Sequence, residues 1–220
     1  PGWVVRDIMP NEPRQEGRAD WAAEIYGLSH WTDTYSSRQL LFFCTAVECL
    51  RELEKEIRAE TEADKAEAII TYLAFCLDKA ADYNSRQAVW HPTRMVIAHA
   101  FQRHDFAFKW AFTEFDAAGN LLPWTVAQVE DAYKGIANLG YRADLWSSKL
   151  QGQHQSRLTI TKGSAANLDR IETGSITCIT VDPPYYDNVQ YAELADYFYI
   201  WQKRTIGHLF PGFFNDELTN

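Results

Sequence analysis

The stretch Ile176-Thr177-Cys178-Ile179-Thr180-Val181-Asp182-Pro183-Pro184-Tyr185 decides how this chain is read. Its first six residues are β-branched or small, the composition of a short strand. The next four stand at the carboxyl end of that strand, the edge where open α/β sheets bind ligands. Asp182 carries a carboxylate acceptor. Pro183 has no N–H to donate but keeps a carbonyl, and Pro184 fixes the local backbone and holds the residue before it extended. Tyr185 offers a flat ring for stacking. Two acceptors beside an aromatic face are suited to gripping an exocyclic amino group while a ring holds the base that bears it.

Working outward, 191–204 has a helical period that buries Leu194, Tyr197, Phe198 and Trp201. Upstream, Arg157-Leu158-Thr159-Ile160-Thr161 reads as a strand and 164–171 as a short helix or turn. Strand, helix, strand, helix is a fragment of a doubly wound sheet. The polar stretch 147–156 marks its boundary.

The longer run Asp182-Pro183-Pro184-Tyr185-Tyr186-Asp187-Asn188-Val189-Gln190-Tyr191, continuing to Arg204, resembles the signature of a family of adenine-specific DNA methylases, often with a zinc ribbon. Gly163-Ser164-Ala165-Ala166-Asn167-Leu168 resembles that family's preceding strand-end motif. Asp82-Tyr83-Asn84-Ser85-Arg86 and Phe106-Ala107-Phe108-Lys109-Trp110 are similar to its upstream segments. The resemblance runs from about Tyr26 onward. It implies an α/β fold: a partial doubly wound, Rossmann-like methyltransferase sheet with a large, mostly helical region before it. It also implies S-adenosyl-L-methionine as cofactor, DNA as partner, and catalysis by Asp182, Pro183, Pro184 and Tyr185. Ser164 and Ala165 then lie near the adenosyl part of the cofactor, although many such enzymes have an acidic residue where Ser164 stands. Tyr186, Asn188 and Tyr191 lie just beyond the motif, where they can line the base pocket.

The chemistry fits these residues. An exocyclic amine conjugated to a base is a poor nucleophile, and two acceptors aimed at its hydrogens favour a more localised lone pair. The Asp182 carboxylate and the Pro183 carbonyl are the natural pair, useful only if already in place. A base in a duplex must be flipped out to reach them. Adenine N6 is the leading target; cytosine N4 and RNA remain open, since the same acceptors serve each amine. Enzymes of this type also have a Phe-x-Gly-x-Gly loop around the methionyl group, where close backbone approach requires glycine. This chain has no Gly-x-Gly. The sequence starts at Pro1 without methionine and is read as part of a longer protein, whose remainder supplies that loop. The reading from another class is a non-enzymatic helical nucleic-acid-binding or assembly module with a degenerate methyltransferase remnant.

Composition sets the bounds. A net charge of −9 argues against a generally basic nucleic-acid surface, while Arg86, Arg94, Arg103, His104 and Lys109 form a local basic stretch. Cys44, Cys49, Cys76 and Cys178 lack paired short spacing and the six histidines lack ligand spacing, so no metal is expected. Cys44 and Cys178 sit in apolar runs and read as small core residues. Free thiols, no signal peptide and no apolar run of spanning length favour the cytoplasm and no membrane partner.

Three regions follow: an irregular 1–35, a mostly helical 36–146, and 157–220 carrying the motif. In the middle region Ser36 or Ser37 caps a helix through Leu40, Cys44, Val47 and Leu50, and the charged run 52–65 is read as a turn. A second helix, 63–81, pairs with it through Ala66, Ile69, Ile70, Leu73, Leu77 and Ala80. A short helix is expected from Thr93 to about Arg103, and a strand or helix over 106–115. A turn is expected at 117–120, then a helix from the Thr125 cap to about Asn138, closed by Gly140.

Overall fold

The computed structural model describes residues 2–14, 21–102, 105–106, 108, 110–149 and 165–219. These form a mainly helical chain with one small antiparallel sheet. The helices are α1 (Gly2–Val5), α2 (Trp21–Tyr26), α3 (Ser37–Glu60), α4 (Ala63–Tyr83), α5 (Leu122–Lys149) and α6 (Tyr191–Ile206), and the strands are β1 (Val89–His91) and β2 (Val96–Ala98). The chain divides into two compact units, Pro1–Glu130 with Asp187–Asn220, and Asp131–Tyr186.

In the first unit α3 starts where the sequence places it. Gln39 N–H donates to Ser36 Oγ at 3.2 Å and Gln39 Oε1 accepts from Ser36 N–H at 2.8 Å, a reciprocal cap. The helix then runs through much of the charged stretch read as a turn. Glu, Lys, Arg and Leu are good helix formers, and Arg58 bonds Glu54 one turn back at 2.7 Å. The turn is only Thr61-Glu62. Helix α4 buries Ala66, Ile70, Ala74, Leu77, Ala80 and Ala81 and packs against both α3 and α6.

The core of this unit is aromatic. Trp31, Tyr35, Phe43, Tyr197 and Trp201 are all buried, and Tyr35 stacks on Tyr197 with ring centres 6.0 Å apart. The polar tips of Tyr35, Tyr197 and Trp201 are satisfied, as burial demands, while the buried Trp31 Nε1 has no hydrogen-bond partner among the described residues. Trp201 Nε1 donates to the Tyr35 hydroxyl at 2.8 Å, and the Tyr197 hydroxyl donates to the Ala81 carbonyl at 2.6 Å. Helix α6, which follows the Asp-Pro-Pro-Tyr motif in sequence, is thus the central core helix. Arg204 on it clasps Glu12 with two bonds, 2.8 and 3.0 Å, and Asp7 at 2.8 Å.

Three expectations change here. Where a helix from Thr93 was expected, β1 and β2 form a hairpin in the register Val89↔Ala98, Trp90↔Ile97 and His91↔Val96. Trp, Val and Ile favour strand, and Met95 makes the turn at a positive φ of 54°. The described residues of 106–115 are neither strand nor helix. At 117–120 the turn is one wide helical turn, Ala117–Leu121, capped by Asp116 and leading into α5. Helix α5 therefore starts at Leu122 and passes Gly140 without ending.

In the second unit the strand read at 157–161 lies outside the described residues. Residues 176–181, read as a strand, pair with none among the described residues, and Ile176, Ile179 and Val181 are exposed. A lone extended segment has no neighbour to take its backbone hydrogen bonds or cover its side chains. Cys178, read as a core residue, is exposed for the same reason. The doubly wound sheet is not formed among the described residues. No described helix is long and apolar enough to cross a membrane.

Candidate amino-group site

Asp182, Pro183, Pro184 and Tyr185 form one continuous exposed segment. Neither the Asp182 carboxylate nor the Pro183 carbonyl has a hydrogen-bond partner among the described residues. Two prolines in a row leave Pro183 and Pro184 without N–H groups and hold the carbonyls in a restricted geometry. The Tyr185 ring is 57 % exposed. The chain then turns sharply: Tyr186 N–H donates to the Pro184 carbonyl at 2.9 Å, and Tyr186 adopts a φ of 43°. A positive φ on a bulky residue is uncommon. It leaves the Tyr186 ring 97 % exposed.

The other expected site residues are divided between the units. Ala165 is exposed in the second unit, and Ser164 lies outside the described residues. Asn188 and Tyr191 belong to the first unit, with Asn188 closing the helical turn Tyr186–Asn188 and Tyr191 opening α6. Both are exposed, while Val189 between them is buried.

Asp82-Tyr83-Asn84-Ser85-Arg86 turns out to be a structural junction. Asn84 Oδ1 accepts from Gln39 Nε2 at 3.3 Å and from the Phe115 N–H at 3.0 Å. Arg86 donates to the Asp33 carbonyl at 3.0 Å, and its own N–H bonds the Thr34 carbonyl at 2.9 Å. These bonds tie the end of α4 to the helical turn Trp31–Thr34 and to the strip around Phe115. Of the basic stretch, Arg86 and Arg94 are described; Arg103, His104 and Lys109 lie outside the described residues.

The reading of the sequence missed Asp78. This α4 residue is pushed up to about 7 by burial, against the stabilising bond from Gln202. The only signal was a carboxylate beside Leu77 on an otherwise apolar face. The thiols of Cys44 and Cys76 are likewise pushed up to about 11 by burial, so they are weak nucleophiles at neutral pH. Among the described residues no group of three or more His, Cys, Asp or Glu side chains is placed to hold a metal.

No family model, no curated protein and no solved structure matches this chain.

Proposed function

We propose that this chain carries the amino-group grip of an S-adenosylmethionine-dependent DNA methyltransferase acting on adenine N6. The observation that supports it is the pair of unengaged acceptors, Asp182 carboxylate and Pro183 carbonyl, next to the exposed Tyr185 ring. A surface carboxylate alone is ordinary. A carboxylate, a proline carbonyl held by a second proline, and a ring in consecutive positions match the needs of an exocyclic amine.

In this reading the flipped base stacks on Tyr185, worth about 1–3 kcal/mol. Its amine donates one hydrogen to Asp182 and the other to Pro183. The two bonds draw the nitrogen toward a pyramidal shape and strengthen as positive charge develops on it, so they favour the transition state over the ground state. Solvent or Asp182 takes the proton after transfer. S-adenosylmethionine, when bound, supplies the methyl group on its sulfonium. The described residues do not by themselves build its cradle: Ala165 is exposed and the chain has no Gly-x-Gly. We assign that cradle to the remainder of the full-length protein. The exposed apolar run 176–181 supports the same division, because Ile176 on one face and Ile179 and Val181 on the other would be covered once the run joined a sheet with helices packed on both faces.

The test is Asp182→Ala in the full-length protein. Asp182 is an exposed residue, so its loss should leave the melting temperature unchanged while methyl transfer to DNA disappears. Retained transfer would sink the assignment.

A further inference from the structure

Residues 86–110 differ from the rest of the chain in charge. They hold Arg86, Arg94, Arg103 and Lys109 against Asp105 alone, inside a chain of net charge −9. Arg103 and Lys109 lie outside the described residues and enter only through their charge.

The structure also puts aromatic surface here. Trp110 is 79 % exposed, high for a side chain that proteins usually cover. It does not stand alone. Its ring meets Tyr26 edge-on at 5.5 Å and Phe108 at 6.0 Å, and Tyr26 lies 5.0 Å from Phe108. The Arg86 guanidinium stacks 4.4 Å over Phe108, held there by its bond to the Asp33 carbonyl. The rings and the cation therefore form a supported platform at the surface.

The β1–β2 hairpin adjoins it. Thr113 N–H bonds the Ala88 carbonyl at 2.9 Å, which joins the strip after Trp110 to the start of β1. The hairpin carries Trp90 with 47 % of its surface exposed. At its turn Arg94 is exposed, and its side chain has no partner among the described residues.

We propose that Tyr26, Phe108 and Trp110, with Arg86 and Arg94, form a contact surface for a DNA strand, built from other residues than the Asp182–Tyr185 motif. Exposed rings offer faces on which unstacked bases lie, and guanidinium groups meet the phosphates between them. An apolar protein partner would gain from the rings but not from the cations. An anionic strand uses both, and the excess of basic over acidic residues in 86–110 sets this stretch apart in an acidic chain. The choice of DNA as the strand rests on the function proposed above; the surface itself does not.

The experiment is fluorescence anisotropy of a labelled oligothymidylate of about 16 nucleotides, titrated with the 220-residue chain at several salt concentrations. Wild-type protein should bind with an affinity that falls as salt rises. Trp110→Ala should weaken binding by roughly 5-fold to 100-fold with an unchanged melting temperature, since the ring is exposed. Arg94→Ala should flatten the dependence of log affinity on log salt by about 0.7. No binding by the wild type, or binding that neither Trp110→Ala nor Arg94→Ala alters, would overturn the proposal. Binding that depends on Trp110 in a full-length protein without methyl transfer would uphold this surface and remove only the enzymatic reading.

Discussion

Gln202 Nε2 on α6 donates to Asp78 Oδ2 on α4 at 2.6 Å, while Asp78 Oδ1 is buried without a partner. One bond is too little for a buried carboxylate, so the proton stays on until about pH 7. The unfolded chain releases it near the ordinary value of 3.8. Between those values the folded state binds more protons, so this group's contribution to stability falls as pH rises and levels off above about 7. Asp78→Asn keeps the acceptor for Gln202 and removes the charge. Urea unfolding from pH 4 to 8 (a range of about 4 units, about 1.4 kcal/mol each at most) should show the variant gaining on the wild type with rising pH, by a few kcal/mol at the top. A variant weaker than wild type throughout would show that Asp78 is charged and favourably paired.

Arg204 and Glu12 are both buried and doubly bonded. Arg204→Met should cost about 3–5 kcal/mol, because it leaves the Glu12 carboxylate buried and uncompensated. Adding Glu12→Met should recover most of that loss. Chemical denaturation of the two single variants and the double variant measures the coupling, and additive losses would contradict it.

Ser36 caps α3, and its hydroxyl also donates to Glu114. Ser36→Ala removes both contacts and should cost about 1–2 kcal/mol. Ser36→Thr keeps a hydroxyl and should restore most of the stability, read as the urea midpoint.

Ile179 is 75 % exposed. In this chain alone Ile179→Ser should change stability by less than about 0.5 kcal/mol. In the full-length protein, where we place 176–181 in a sheet, the same change should cost about 2 kcal/mol or more. Equal, small effects in both would argue against that sheet.

Tyr185→Ala in the full-length protein should lower kcat/KM for DNA methylation roughly 5-fold to 100-fold, the worth of one stacked base. Tyr185→Phe keeps the face and should stay near wild type. A matching loss in both would mean that the hydroxyl, not the ring, is what matters.

The helices were legible where the apolar stripe is regular. Ser36, Leu40, Cys44, Val47 and Leu50 fix the start and inner face of α3, and Tyr197 and Trp201 mark the buried face of α6. The hairpin was not, because Thr93-Arg94-Met95-Val96-Ile97-Ala98 also satisfies a helical period, and only cross-strand pairing with Val89-Trp90-His91 decides it. The same holds for 176–181: strand composition is local, but strand formation needs a neighbour. The amino-group site we propose is read from consecutive residues alone, since Asp182, Pro183 and Tyr185 would carry that chemistry without a long-range partner. The Tyr26–Phe108–Trp110 platform was not, because Tyr26 meets the other two rings only through the fold.

The most direct test of the central claim is the identity of the product. Full-length protein is incubated with S-adenosylmethionine carrying a labelled methyl group and with DNA, the DNA is digested to nucleosides, and the label is located by mass spectrometry. The account predicts label on N6 of deoxyadenosine from the wild type and none from Asp182→Ala. Label on no exocyclic amine, or equal label from both proteins, would contradict it.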